Sequence, residues 1–281
     1  MTLDAAVQRG VKSLQALQER DGSFPFLELD REGGPRECHR LFSTTAVLLA
    51  CGTLLPATCT AQAIDYVLSC RRDDGMWHFD PSLPIPADAD DTACALACTA
   101  IFRRGAITRD DAALLRSYWR PDGGPFRTWH GDDPAWLGRE RDDPVVNANV
   151  LLALRVLDAN PTLPEVAGIT RFISAHRERA RYYVAPVSIA YAAVRAGIAR
   201  RDLSSIARAR PPGDAGALVH AQWLCSLPDP DPRAGDHLRS LQRHDGGWPA
   251  EPWCTDNARA WGSAAVSTAL CVEALHRLGS G

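Results

Sequence analysis

Six stretches of the chain are apolar on nearly every side of a helical wheel: 45–50, 92–97, 149–154, 188–192, 217–224 and 268–272. A helix without a polar face must be buried all round, and most of these runs open on a polar residue suited to a helix start. More amphipathic segments alternate with them. Four of these share an ending: Asp21-Gly22-Ser23-Phe24, Asp74-Gly75-Met76-Trp77, Asp122-Gly123-Gly124-Pro125-Phe126 and Asp245-Gly246-Gly247-Trp248. Glycine stops a helix by taking the left-handed conformation beyond its last turn, and the aromatic can then fold back on the helix it ends. Recurrence at roughly 50 residues is the mark of stacked helical hairpins. Two further hairpins, between residues 142 and 230, lack the ending. Six buried helices, each with an amphipathic partner, predict about twelve helices in a closed double ring. No segment shows sustained strand alternation between hairpin turns. The expected fold is all-α, an (α/α)6 toroid of two concentric rings forming one domain over 1–281.

With 46% hydrophobic and 23% charged residues, the chain of 281 is ordinary globular material. A net charge of −3, without a basic stripe interleaved with aromatics, argues against nucleic acid as a partner. No run approaches the length of a membrane span. Met1-Thr2-Leu3-Asp4 leads into a mixed amphipathic segment rather than a signal peptide. Nine cysteines, an odd and scattered set, include Cys51, Cys94, Cys98, Cys225 and Cys271 inside apolar runs. They read as reduced core thiols of a cytoplasmic protein.

The chemistry concentrates in Asp88-Ala89-Asp90-Asp91-Thr92-Ala93, at the start of the second inner helix. One Asp there is an ordinary cap, and acidic residues complement the helix dipole. Three within four residues, at the mouth of an apolar ring, exceed what capping needs. Crowded carboxylates resist joint ionisation, so some keep their protons at neutral pH.

This Asp-x-Asp-Asp-Thr-Ala motif, with Gln-x-x-Asp-Gly-Gly-Trp endings best copied at Gln242 to Trp248, resembles the class II terpene cyclases of the squalene-hopene cyclase group. The resemblance implies an α/α toroid in which the middle aspartate protonates an alkene or epoxide and starts a carbocation cascade. Carried over, Asp90 is the general acid and Asp88 and Asp91 support it; His39, read from its own place on the same rim, is expected to hydrogen-bond an aspartate. Family members usually hold a second barrel over the acid. In this chain of about half that size the stretch 121–144 could serve as a lid, or a second copy or partner subunit could cover the cavity.

Protonating an alkene needs a strong acid in a dry pocket with aromatic faces toward passing cations. Most of the eight tryptophans read as repeat packing, whereas Tyr183, Tyr191, Phe42 and Trp261 read as cavity residues with Tyr182. Asn147 and Asn149 occupy the rim of the third inner helix, where helix-start amides satisfy the backbone or touch substrate. Arg40, Arg127 and Arg181, with Arg139 and Arg141, flank inner-helix starts and could hold a diphosphate; surface charge is the alternative. Mg²⁺ would then bridge the diphosphate oxygens, with Asp132-Asp133 and Asp142-Asp143 as acidic pairs nearby. Zinc is not expected, because the Asp-x-Cys pairing of related prenyltransferase subunits is not matched at Asp91-Thr92-Ala93-Cys94. The expected activity is cyclisation of a linear isoprenoid, a prenyl diphosphate first. The alternative is a non-catalytic isoprenoid-binding or scaffold toroid; a carbohydrate-active enzyme ranks last because the inner helices are so apolar.

Overall fold

A computed structural model of the chain describes residues 2–280 apart from 30, 31, 33, 121, 158, 159, 200–210, 212 and 257. Twelve α-helices occur among the described residues. Six form the inner ring: α2 (Leu41–Cys51), α4 (Ala89–Phe102), α7 (Pro144–Val156), α9 (Val187–Arg195), α10 (Ala217–Ser226) and α12 (Ala264–Gly279). Each packs on the next, and α12 packs back on α2, which closes the ring. In α4 every residue from Ala89 to Ala100 is buried, the all-round burial that its sequence requires.

Outside lie α1 (Leu3–Leu17), α3 (Ala57–Ser69), α5 (Arg109–Arg116), α8 (Leu163–Ala175) and α11 (Gly235–Leu241). These bury one stripe: Ala6, Gly10, Ser13 and Leu14 in α1, and Thr60, Ala63, Ile64 and Val67 in α3. That is the spacing of a helix with one wet face. The outer partner expected between α9 and α10 falls at 200–210, outside the described residues, as does Pro121 at the start of the lid stretch. A four-residue α6 (Pro134–Leu137) lies within that stretch.

The repeat endings bolt the two rings together. Gly22, Gly75, Gly123 and Gly246 all have positive φ, from +82° to +100°. At Gly22 and Gly246 the turn also lies against the next outer helix, where a Cβ would strike the backbone of Gln62 or Arg9. Only glycine meets both demands. Gln18 Nε2 donates to Gly22 O (3.0 Å) and to Cys59 O of α3 (2.9 Å), while Gln242 Nε2 donates to Gly246 O (2.8 Å) and Ala6 O of α1 (2.9 Å). Each glutamine thus closes its own turn and ties it to the next outer helix. The aromatic then hands its backbone N–H to an inner helix: Phe24 to Thr44 Oγ1, Trp77 to Thr92 Oγ1, Phe126 to Asn147 Oδ1 and Trp248 to Thr268 Oγ1, at 2.8–3.2 Å.

One element departs from the all-α expectation. Strands β1 (Leu27–Glu28), β2 (Arg36–Glu37), β3 (Pro252–Thr255) and β4 (Ala260–Gly262) make a small antiparallel sheet in the order β2-β1-β4-β3. Strands this short cannot display an alternation, so their sequences gave no signal. The sheet joins the two ends of the chain over one mouth of the ring. The nine cysteines are all thiols, and among the described residues no helix is long and apolar enough to cross a membrane.

Candidate active site

At the mouth beneath the sheet lies a cavity of about 260 Å³. All three aspartates of the motif line it. Asp88 is the N-cap of α4, its Oδ1 accepting from Asp91 N at 2.8 Å. The strand-like approach to that cap pairs with the lid stretch through Ala89 N to Thr128 O (2.7 Å) and His130 N to Ala87 O (2.9 Å). The same turn of helix therefore places Asp90 inside and holds the lid over it. Asp90 is only 7% exposed.

Both Asp90 oxygens accept strong hydrogen bonds. Tyr183 Oη donates to Oδ2 at 2.6 Å, and Asn149 Nδ2 donates to Oδ1 at 2.7 Å. Tyr183 is itself held from two sides. Asp143, the buried N-cap of α7, accepts from Val145 N and Val146 N through Oδ1, and from Arg181 N (2.6 Å) and Tyr182 N (3.0 Å) through Oδ2. Across from it, β3 pairs with the tyrosine segment through Val184 N to Trp253 O and Thr255 N to Tyr182 O.

Burial is the first cause of the proton affinity of all three carboxyls. It pushes Asp90 up to about 6 against the pull of Tyr183 and Asn149, and Asp88 up to about 7. Asp91 is likewise raised well above the ordinary carboxyl range by burial and by the charges of Asp88 and Asp90. Asp90 holds its proton less firmly than Asp88, because two donors stabilise the anion it leaves.

These shifts make stability depend on pH in an unusual direction. A carboxyl that binds its proton more tightly when folded stabilises the fold below its unfolded value near 3.8, and that contribution is lost as pH rises through about 6 to 7. Urea unfolding is expected to give a larger free energy at pH 5 than at pH 8. Asp88→Asn should flatten that slope; an unchanged slope would mean that Asp88 ionises as it does in the unfolded chain.

Aromatic faces surround the acid. Phe42 stacks on Trp253 (4.5 Å between centroids) and meets Phe79 and Tyr183 edge-on or tilted at 5.8 and 6.2 Å. Trp261 of β4 stands 5.6 Å from Phe79. The lid stretch supplies Trp129 and Trp136, with Trp129 Nε1 donating to Tyr182 Oη at 2.8 Å. Arg141, Arg181 and Arg259 line the rim, and the Nε atoms of Arg141 and Arg181 are buried without partners. Arg259 is held by Asp256 and lies over the Trp261 ring at 5.0 Å.

Of the residues named from sequence, the structure gathers Asp88, Asp90, Asp91, Tyr183, Phe42, Trp261 and Arg181 around this one cavity. Others lie elsewhere. His39 makes no hydrogen bond to an aspartate; its Nε2 is 4.0 Å from Cys70 Sγ and its ring lies beside Tyr66, between α2 and α3. Asn147 is fully buried in a repeat joint, bonded to Phe126 N, Phe126 O and Asp143 O. Tyr191 lies deeper, donating to Glu273 Oε2 at 2.6 Å. Arg40 pairs with Glu37 and Ser23, and Arg127 is a half-buried residue of the lid stretch; neither lines the cavity. Asn149, beside Asn147 in the sequence reading, is the amide on the acid. Phe79, Arg195 and Arg259 were not anticipated; Arg259 could have been suspected from Arg-x-Trp next to a candidate aromatic.

The acidic pairs considered for Mg²⁺ do not converge. Asp142 is taken by Arg120 at 2.8 and 3.1 Å, Asp143 by four backbone N–H groups, and Asp133 caps α6. Among the described residues no group of three or more His, Cys, Asp and Glu is arranged to hold a metal.

No protein-family model matches the chain, and no curated protein matches it by sequence. Among solved structures it is similar to the type II terpene cyclase MstE from Scytonema, over 99% of both chains, with a TM-score of 0.76 and 16% identity. It is also similar to ent-copalyl diphosphate synthase from Streptomyces platensis, over 86% of this chain and 50% of that one (TM-score 0.61, 20% identity). The GH76A α-1,6-mannanase from Salegentibacter sp. HEL1_6 matches over 98% and 99% (TM-score 0.60, 11% identity). The chain therefore has a class II terpene cyclase-like toroid. That architecture also serves a glycoside hydrolase, so chemistry must be argued from the site.

Proposed function

We propose that the protein is a proton-initiated isoprenoid cyclase with Asp90 as its general acid. The observation behind this reading is a protonatable carboxyl, held by two donors, on the wall of a cavity lined by aromatic rings. The walls set the three aspartates and the rim arginines against apolar faces of Phe42, Phe79, Leu83, Ile85 and Trp261, which suit a hydrocarbon chain better than a run of sugar hydroxyls.

The terminal alkene of a linear isoprenoid takes the Asp90 proton: the O–H bond breaks, a C–H bond forms at the less substituted carbon, and a tertiary cation results. The next alkene attacks that cation and closes a ring, while Phe42, Phe79 and Trp261 face the moving charge. The cascade ends when a proton on the carbon beside the last cation passes to water, its C–H electrons forming a C=C bond. The Asp90 carboxylate regains a proton from solvent before the next turnover. Tyr183 and Asn149 meanwhile stabilise the Asp90 carboxylate. The stretch 122–144, which lines the cavity through Thr128, Trp129, Trp136 and Arg141, is the candidate cover for the acid within this chain. The Scytonema cyclase, which also consists of about one toroid by its mutual coverage, is described with geranylgeranyl dihydroxybenzoate as substrate.

The head group is the part of the substrate that the rim reads. Arg141 and Arg181, with their unpartnered Nε atoms, and Arg259 suit an anion, a prenyl diphosphate before a prenylated carboxylate. A Mg²⁺ ion would neutralise diphosphate charge mainly through the substrate's own oxygens, since Asp142 and Asp143 are engaged. Products are to be read by mass spectrometry after incubation with prenyl diphosphates, a prenylated aromatic carboxylate and neutral polyenes, each with Mg²⁺ and with EDTA. A cyclic product from an anionic substrate is expected; no cyclic product from the whole panel, with an isoprenoid co-purifying unchanged, would replace catalysis by binding. Arg181→Ala should raise KM for the anionic substrate about 10- to 100-fold, the loss of one charge-assisted bond, and leave kcat within a few-fold. An unchanged KM would place the head group elsewhere.

A further inference from the structure

Beneath the acid, on the side away from the cavity, a second polar layer crosses the ring. Asn149 Oδ1 accepts from Arg195 Nη2 at 2.7 Å, while Asn149 Nδ2 donates to Asp90. Arg195, on the last turn of α9, spans from there over the Tyr191 ring at 5.2 Å. Tyr191 donates to Glu273, whose other oxygen is held by Arg277 at 2.7 Å. These groups line or adjoin a chamber of about 20 Å³ separated from the substrate cavity by Phe42 and Tyr183.

We propose that Arg195, acting through Asn149, sets the acid strength of Asp90. Arg195 is a positioning residue: it lines the lower chamber and not the cavity, so it does not touch substrate. The inference rests on the reading of Asp90 as the acid. A guanidinium has donors only, so the oxygen of Asn149 must face Arg195 and the NH2 must face Asp90. The amide is thereby locked as a donor to the carboxylate. Without Arg195 the amide could turn over and accept from a protonated Asp90, which favours the acid over its anion. The arginine also places a positive charge behind the carboxylate that proton transfer creates.

Other charges around Asp90 push the opposite way. Asp88 and Asp91 face it from α4 and Asp143 from α7, whereas Cys94 and Cys254 are neutral thiols and Tyr183, which donates to it, favours its anion. Arg195 is the cation set against these carboxyls, and Glu273 only partly offsets it because Arg277 shares that carboxylate.

The test uses the full chain with Arg195→Gln, Arg195→Met and Arg195→Lys. Two neutral variants are made so that loss of folding in one does not end the experiment. Two readouts are taken: the pH profile of kcat, and titration of the Asp90 carboxyl carbon by NMR without substrate. In a folded neutral variant the Asp90 titration and the alkaline limb of kcat should move up together by about one pH unit. The plateau rate should fall roughly three- to tenfold, because a weaker acid transfers its proton more slowly, with KM unchanged. Arg195→Lys should keep both midpoints near those of the wild type. A neutral variant with unmoved titration overturns the proposal, whatever its rate. A shifted titration in a protein that cyclises nothing upholds the Arg195 effect and sinks the cyclase reading instead. A fall in rate with an unmoved limb would assign Arg195 a packing role.

Discussion

Asp90→Asn is expected to abolish cyclisation, lowering kcat by about 10³-fold or more, toward the upper range of what a positioned general acid contributes, while the fold is kept. Asn matches Asp in size and still offers Oδ1 to Asn149, and its NH2 can meet Tyr183 Oη as a donor. What it lacks is a proton acid enough for an alkene. Stability should not fall. Above pH 7 the wild-type protein holds Asp90 ionised in a buried site that raises its proton affinity from 3.8 to about 6. That costs on the order of 2–3 kcal/mol relative to the unfolded chain, and a neutral amide escapes it. Thermal unfolding of the variant at pH 8 should therefore match or exceed the wild type, with the advantage vanishing toward pH 5. For the wild type, kcat should fall about tenfold per pH unit above the Asp90 midpoint. A variant that retains more than a few per cent of activity would move the acid to another residue, with Asp88 next in line.

Much of this site was written in local sequence, and the rest depends on ring closure. The three aspartates were legible because a helix start concentrates them in one turn, and the repeat endings were legible because glycine and an aromatic recur at fixed offsets. The two asparagines of α7 show where that reading stops. They are two residues apart, about 200° around the helix, so one faces the outer repeat and the other the ring axis. Asn149 consequently reaches Asp90, while Asn147 takes the place that threonine holds in Thr44, Thr92 and Thr268. His39 precedes its inner helix by two residues, and at that point the chain still faces α3. Trp261 arrives on β4 and Arg259 just before it, and the partner strand β1 lies more than 230 residues earlier. A pairing that distant leaves no periodic trace in either segment. Arg195 is recognisable only once α7 and α9 are known to be neighbours.

The largest loss of stability is expected from a residue that touches no substrate. Trp77→Ala should cost about 3–5 kcal/mol, the range for emptying a buried aromatic site, and lower Tm by about 10 °C for a chain of this size. Trp77 is fully buried, its Nε1 donates to Val67 O at 2.8 Å, and Arg71 lies over its ring at 5.0 Å. Truncation leaves a cavity, takes the indole donor from Val67 O and removes the ring beneath Arg71, which stays bonded to Gly75 O and Asp111. Trp77→Phe should cost far less, because Phe24 and Phe126 already fill the same place in two repeats. The matched substitution Trp248→Ala should destabilise by a similar amount, since Trp248 Nε1 donates to Leu238 O at 2.9 Å in the same way. The two differ in what lies next to the joint. Trp77 hands its backbone N–H to Thr92, the residue after Asp91, whereas Trp248 serves Thr268 on α12. If the joint at Trp77 helps to hold the first turn of α4, its loss should disturb the pH limb of kcat as well as Tm. Trp248→Ala should lower Tm alone. Equal effects on the limb would mean that the rings transmit strain all the way round, and no effect from either would mean that the Asp88 cap and the lid hold the acid without the repeat.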